Sequence, residues 1–226
     1  MGILLNLETS STNCSVCIAK DGEILAIQEL NSANYSHAEK LHLFIEEVVQ
    51  EASLKMEDIE AVAVSKGPGS YTGLRIGVSA AKGLCYALGI PLISVSTLKS
   101  MASQIKIKED EVLIPVLDAR RMEVYSAIFD ADLHQIRETK AEIIDEHSFV
   151  EYINSKSVHF LGSGAEKIKE LFTDASINYH CDVVPSAREM ASISADKFNA
   201  SEFEDVAYFE PYYLKDFVLQ TKKVKS

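Results

Sequence analysis

The chain lacks any long apolar run and any excess of basic residues. No stretch in its 226 residues approaches the roughly 20 apolar residues of a membrane span, and no basic region leads into an apolar core at the N-terminus. The chain has 22 Lys and Arg residues and 34 Asp and Glu residues, which gives a formal net charge of −12. Because phosphate backbones and anionic membranes repel such a chain, we expect no membrane contact, no unaided nucleic-acid binding and a cytoplasmic location.

The four cysteines and six histidines lack metal-ligand spacing. Cys14 and Cys17 lie three residues apart in an alternating segment, so they point to opposite faces of a strand. His37 and His42 lie five residues apart on a predicted helix, about 140° around its axis, whereas a shared ligand face needs a spacing of three or four. We therefore expect free buried thiols, solvated or capping histidines, and no metal site.

The rest of the composition is that of a globular α/β protein. With 47% hydrophobic and 25% charged residues, the chain can form one large domain or two small ones. Strand, hairpin, helix, strand, helix and strand follow each other in the first hundred residues, which predicts a mixed sheet with helices. We expect a first lobe at 1–105, a second lobe at 106–207, and a segment at 208–226 that packs back on the first. No repeat of fixed period is present.

A glycine-rich loop at residues 66–77, with the sequence KGPGSYTGLRIG, lies between a predicted strand and a predicted helix. Such loops aim backbone amides at a helix N-terminus, which suits an anion. The loop is not a Walker motif, because Leu74 follows Gly73 where lysine is required, and its third glycine comes one residue late for a dinucleotide fingerprint. The spacing fits either ligand contact or a tight turn whose glycines allow close packing.

A carboxylate and several hydroxyls stand at the end of the first predicted strand, in the sequence LETSSTNC at 7–14. In phosphate-binding hairpins such a carboxylate binds the metal ion, and the hydroxyls contact phosphate oxygens. A hydrogen-bonded turn explains the same residues, and nothing local separates the two interpretations. The candidate nucleotide-binding residues are Glu8, Ser10, Ser11, Gly67, Gly69 and Ser70.

Two predicted helices of the first lobe carry apolar or small residues beyond what one sheet can cover. The first starts with a capping box from Ser36 to Glu39 and places Leu43 on its polar stripe. The second, from about residue 73, is rich in glycine and alanine, which lets a neighbouring element approach closely. Another chain could pack on one side of such a helix, or this chain could cover both sides itself. The candidate partner residues are Ala38, His42, Leu43, Gly73, Gly77, Ala80 and Ala81.

An Asp-Ala-Arg-Arg sequence follows a predicted strand of the second lobe. Asp118 is its only attractive candidate for the general base that phosphoryl transfer requires. A structural ion pair involving Asp118, Arg120 and Arg121 is the favoured alternative.

Five segments together resemble the TsaB family, formerly YeaZ: residues 7–10, 66–77, 81–84, 115–125 and 211–214. The resemblance implies an α/β, actin-like, two-lobed fold of the sugar-kinase and heat-shock ATPase kind, with mixed sheets flanked by helices. It also implies a non-catalytic subunit that supports TsaD. With TsaE and ATP, TsaD transfers a threonylcarbamoyl group to the tRNA adenosine beside the anticodon. Transfer RNA would be bound only through the complex, and a homodimer without TsaD is left open.

Two departures bear on cofactors. Glu8 stands where most TsaB sequences have Asp, and Ser10 stands in the region where actin-like kinases have a glycine, so we expect weak ATP binding. Thr97 and Met101 occupy the spacings of two metal-binding histidines in TsaD, and neither replaces histidine on iron or zinc. We expect no tightly bound cofactor and no catalytic residue, and the sequence leaves open whether ATP or ADP binds at a subunit boundary. The alternative function is an actin-like small-molecule kinase or ATPase; a metallopeptidase would need a ligand cluster that the sequence lacks.

Overall fold

The computed structural model describes residues 2–32, 37–174 and 176–215. The first five strands form a mixed sheet in the order β3-β2-β1-β4-β5, in which β1 runs antiparallel to β2 and parallel to β4. These strands are β1 (Ile3–Glu8), β2 (Asn13–Lys20), β3 (Glu23–Asn31), β4 (Ala61–Gly67) and β5 (Leu92–Ser96). Helices α1 (His37–Glu51) and α2 (Tyr71–Leu88) connect them. The predicted cap Ser36 lies outside the described residues.

The second sheet repeats the topology of the first. Its strands are β6 (Glu111–Asp118), β7 (Glu123–Phe129), β8 (Gln135–Ile143), β9 (Ser157–Leu161) and β10 (Ile177–His180), joined by α4 (Val150–Ile153) and α5 (Ala165–Leu171). Their order, β8-β7-β6-β9-β10, and their directions match those of the first sheet. One topology thus occurs twice although the sequence shows no repeat. The two mixed sheets with flanking helices confirm the predicted actin-like α/β fold.

The two lobes exchange the helix that follows each sheet. Helix α3 (Thr97–Ala102) follows β5, yet its Leu98 and Met101 share a core with Leu113 of the second sheet. Helix α6 (Ala187–Asn199) follows β10, yet its Met190 packs with Leu4 of the first sheet. The predicted boundaries keep each helix with its preceding strands, whereas the packing places it on the other lobe. Apolar spacing shows that a helix face is buried and does not show which sheet covers it.

The central strand β1 is covered by helices on both faces. Leu5 and Leu7 pack in the core formed with α1 and α2, while Leu4 faces α6. A strand buried on both faces needs an almost continuous apolar run, and β1 has the sequence ILLNLE. Its one buried amide, Asn6, accepts a hydrogen bond of 2.6 Å from Ser194 of α6. This polar contact helps to hold α6 on the first sheet.

The cysteines lie as the strand spacing predicts. Cys14 faces the core beneath α1, and Cys17 faces α6 on the other side of the sheet. Cys14, Cys17 and Cys85 are buried free thiols, whereas Cys181 is half-buried. Burial raises the pKa of the Cys17 thiol to about 12, which leaves it protonated and unreactive at neutral pH.

The described part of the C-terminal segment lies along the first lobe. Lys82 of α2 donates hydrogen bonds to the carbonyls of Ala207 and Phe209 at 3.0 and 3.1 Å. The backbone amide of Tyr212 donates to the carbonyl of Lys66 at 2.7 Å. Residues 216–226 lie outside the described residues. Among the described residues, no helix has both the length and the apolar character to cross a membrane.

Candidate functional site

The tip of the β1–β2 hairpin and the glycine-rich loop contact each other through their backbones. The amide of Ser70 donates a hydrogen bond of 2.6 Å to the carbonyl of Ser10. The Ser70 hydroxyl caps α2 by accepting from the amide of Gly73 at 3.3 Å. A Cβ atom on Gly69 would overlap the carbonyl of Ser10, and one on Gly73 would overlap the carbonyl of Thr9. The glycines therefore allow close packing, as the second interpretation of this loop predicts.

Three predicted partner residues of α2 face the inside of their own lobe, and their assignment to a partner surface is wrong. Gly73 and Gly77 are buried, and a Cβ atom on Gly77 would overlap the hydroxyl of Thr9. Ala81 is fully buried in the core of the first lobe. The small residues do permit a close approach, but the element that approaches is this chain's own hairpin and sheet.

An open groove, lined largely by apolar and small residues, lies between α1 and α2. Its cavity measures about 740 Å³. Of the predicted partner residues, Ala38, His42 and Ala80 line it, while Leu43 is exposed on α1 outside the lining. The sequence interpretation missed Ile76 and Leu84, which line the groove at four-residue spacing on either side of Ala80.

A second cavity, of about 630 Å³, lies between the lobes. Four predicted nucleotide-binding residues, Ser10, Ser11, Gly69 and Ser70, line its wall on the first lobe. The chain's own residues 212–215 line it as well. The ring of Tyr213 stacks at a tilt on Tyr71 with centroids 4.9 Å apart, and Lys215 pairs with Glu123 of β7. The C-terminal segment thus crosses the cleft from one lobe to the other.

Glu8 does not open into this cleft. It is fully buried, and its Oε1 accepts hydrogen bonds from the amide of Ser10 at 2.6 Å and the hydroxyl of Ser65 at 2.9 Å. Burial raises the pKa of the Glu8 carboxyl, against the opposing effect of these hydrogen bonds. Its Oε2 is buried with no hydrogen-bond partner among the described residues. The carboxyl group belongs to a hydrogen-bonded turn, and Gly67 is likewise buried outside the cavity lining.

Asp118 forms the predicted ion pair, but with a different cation. Its Oδ1 lies 2.6 Å from the Nζ of Lys167 on α5 and accepts a hydrogen bond of 2.6 Å from the amide of Arg120. The side chains of Arg120 and Arg121 take no part in the pair. Sequence spacing indicated the neighbouring arginines because Lys167 lies 49 residues further along the chain.

His37 is neither solvated nor a capping residue, which corrects the sequence interpretation. The side chain is 2% exposed, and its Nε2 lies 2.8 Å from the carbonyl oxygen of Ser11. Burial lowers its pKa, while the Ser11 carbonyl acts in the opposite direction. His42, in contrast, is exposed at the groove. Histidine 37 therefore joins the start of α1 to the tip of the hairpin.

No metal centre emerges from the part of the chain that the structure describes. No group of three or more His, Cys, Asp or Glu side chains there could hold a metal ion. Thr97 and Met101 are both fully buried, and Met101 belongs to the core between α3 and the second sheet. Met101 thus takes part in the packing between the lobes.

The fold and the site define a two-lobed α/β protein with an open groove between two helices and a hairpin packed against its own glycine-rich loop. The sequence profile of TsaD, tRNA N6-adenosine threonylcarbamoyltransferase, matches residues 29–223. The tRNA threonylcarbamoyladenosine biosynthesis protein TsaB of Escherichia coli (strain K12) is 30% identical over 97% of both chains. The chain belongs to this TsaD-type sequence family and, within it, to the TsaB proteins.

Other relatives agree with this assignment. TsaB of Bacillus subtilis (strain 168) is 26% identical over 99% of this chain and 98% of its own. The tRNA N6-adenosine threonylcarbamoyltransferase of Bacillus thuringiensis (strain Al Hakam) is 36% identical over 41% of this chain and 32% of its own. The structure of YeaZ from Pseudomonas aeruginosa matches with a TM-score of 0.83 at 23% identity, covering 95% of this chain and 100% of that one.

Proposed function

We propose that this protein is a subunit of the tRNA threonylcarbamoyl transferase, which binds TsaD and has no active site of its own. Membership of the TsaB proteins supports a role in threonylcarbamoyladenosine biosynthesis over the alternative of a small-molecule kinase or ATPase. The observation that carries the proposal is the open apolar groove between α1 and α2. We propose that TsaE belongs to the same complex and that tRNA is bound only by the assembly.

The groove suits the docking of helices. Ala38, Ala80 and Gly83 have little or no side chain, so a partner helix can approach the backbones of α1 and α2 closely. Ile76 and Leu84 supply the apolar area whose burial stabilises the contact. TsaD is similar in sequence to part of this chain and would offer the equivalent two helices, which gives a four-helix bundle. A homodimer would use the same surface when TsaD is absent.

The proposal that the chain has no active site of its own rests on the contacts of residues at and near the cleft between the lobes. Glu8 is buried in its own turn, and Gly69 and Gly73 of the glycine-rich loop pack on the backbone of the hairpin. Asp118 is already engaged by Lys167 and by a backbone amide, so it is not free to take a proton from a substrate hydroxyl. We propose that the chain holds no cofactor tightly and that any ATP or ADP of the complex lies at the boundary between subunits.

A reconstituted reaction tests this proposal. The purified chain is incubated with ATP alone, and then with TsaD, TsaE, the threonylcarbamoyl donor and tRNA. We expect negligible ATP turnover by the chain alone, and tRNA modification that requires both TsaD and this chain. Turnover of ATP by the isolated chain at the rate of a kinase, or full modification by TsaD and TsaE without it, would contradict the proposal.

A further inference from the structure

The titratable side chains that line the groove between α1 and α2 are basic. Among the described residues of the lining, Arg75 of α2 and His42 of α1 are basic, and none is acidic. The chain as a whole has a net charge of −12, so the lining departs from its acidic character. Because a guanidinium stays charged at every physiological pH, Arg75 is a permanent cation in this groove.

An aromatic side chain one helical turn earlier holds Arg75 in position. The Nη1 atom of Arg75 donates a hydrogen bond of 3.1 Å to the hydroxyl of Tyr71. The guanidinium carbon also lies 5.3 Å from the centroid of the Tyr71 ring, in a cation–π contact. Tyr71 in turn stacks on Tyr213 of the C-terminal segment, with ring centroids 4.9 Å apart. An arginine that is already held in this way loses less side-chain entropy when it binds a partner.

The Arg75 guanidinium has no carboxylate partner among the residues that the structure describes. In that part of the chain, the arginines that form ion pairs are Arg137, with Glu142, and Arg188, with Glu29. Arg75 is exposed, and its hydrogen bond to the tyrosine uses one of several guanidinium N–H groups. The planar guanidinium therefore retains N–H groups for a two-point hydrogen bond to a carboxylate.

We propose that Arg75 binds a carboxylate on the TsaD helix that docks in this groove. The inference rests on the proposed function and adds the chemistry of the partner to it. Arg75 lines the same groove as Ile76, Ala80 and Leu84, so one occupant contacts the cation and the apolar residues together. That occupant must combine a small or apolar face with an Asp or Glu side chain that lies against Arg75. A phosphate of RNA matches the guanidinium but gains nothing from the apolar residues beside it.

The affinity of the full-length chain for TsaD, measured by isothermal titration calorimetry, tests this inference. Arg75→Ala should weaken binding about tenfold or more, because the partner's carboxylate loses its counter-ion. Arg75→Glu should weaken it about a hundredfold, since two carboxylates then face each other. Arg75→Lys should bind with intermediate affinity, because lysine keeps the charge without the two-point geometry. Raising the salt concentration should weaken binding of the wild type more than that of Arg75→Ala.

Arg188→Ala is the matched control, because Arg188 is an exposed helical arginine that lines neither described cavity. It should bind TsaD within about twofold of the wild type. Wild-type affinity in both Arg75→Ala and Arg75→Glu would overturn the inference, whereas the proposed docking in the groove would still stand if Ala80→Glu abolished binding. A wild-type chain that does not bind TsaD would overturn the proposed function and this inference together. Unchanged affinity for TsaD with weaker tRNA binding by the assembled Arg75→Ala complex would assign Arg75 to RNA, and would also overturn the inference.

Discussion

The hydroxyl of Thr9 donates a hydrogen bond of 2.8 Å to the carbonyl of Gly73, and the Thr9 carbonyl lies where a Cβ atom on Gly73 would have to be. The end of the first strand and the first turn of α2 are therefore in direct backbone contact. Here the glycine is required by the chain's own packing.

Replacing Gly73 with alanine should destabilise the protein by about 1–3 kcal/mol, because the added methyl group forces two backbones apart. The free energy of unfolding in urea, followed by circular dichroism, measures the effect. Gly83→Ala is the matched control on the same helix, since nothing lies within 4 Å of a Cβ atom there. It should stabilise the protein by about 0.5–1 kcal/mol through helix propensity. Equal effects of the two substitutions would show that the Thr9 contact is unimportant.

Glu8→Gln should stabilise the protein at pH 7.5 and lose that advantage in acid. The raised pKa means that folded Glu8 keeps a proton at pH values where the unfolded chain, with a pKa near 4.5, has lost it. Wild-type stability therefore falls as the pH rises above 4.5, and an uncharged amide avoids this loss. Thermal unfolding at pH 7.5 and pH 4 measures the difference. Glu39→Gln, an exposed change on α1, should shift neither value appreciably; an equal destabilisation by Glu8→Gln at both pH values would contradict the account.

The buried histidine gives a second pH dependence, with the opposite sign. The pKa of His37 is lowered below 6.5 in the folded state, so the unfolded chain binds the proton more readily. The free energy of unfolding should then decrease as the pH falls from 7.5 through 6.5, and the decrease should be smaller in His37→Gln. His159, whose pKa burial also lowers, accounts for part of the remaining slope. His147→Gln, an exposed control, should leave the wild-type slope in place.

The features that the sequence predicts correctly are those set by residues close together in the chain. The strands, α1, α2 and the tight glycine turn follow from local patterns, and the resemblance adds the two-lobed fold. The exchange of α3 and α6 between lobes, the His37–Ser11 contact and the Asp118–Lys167 pair join distant parts of the chain, and periodicity contains no information about them.

The candidate site shows the same limit within one helix. The richness of α2 in glycine and alanine correctly predicts close approach, and Ala80 does line the groove. Gly77 and Ala81 lie on the opposite side because residue size does not reveal which neighbour approaches. Only the folded structure shows which small residues of α2 pack against the chain's own hairpin and sheet and which are open to a partner.

The isolated protein should bind ATP no more tightly than roughly millimolar, since the Glu8 carboxyl that would contact the metal ion is buried in its own turn. It should also bind tRNA poorly at physiological salt, because of its charge of −12. Calorimetric titration with ATP and anisotropy with labelled tRNA measure the two affinities. Elemental analysis after chelator treatment should find no stoichiometric iron or zinc. A sub-micromolar affinity for either ligand, or one retained equivalent of metal, would contradict the proposed absence of an active site.

The most direct test of the central claim is the affinity for TsaD of Ala80→Glu compared with that of Ala131→Glu. Both residues are half-buried alanines, but Ala80 lines the groove and Ala131 lies in the turn between β7 and β8. In the groove, a partner helix would bury the new carboxylate without a counter-ion, at a cost of several kcal/mol. We predict that Ala80→Glu keeps the native circular dichroism spectrum and weakens binding about a hundredfold or more, while Ala131→Glu binds as the wild type does. Wild-type affinity in a natively folded Ala80→Glu would show that TsaD does not bind at this groove.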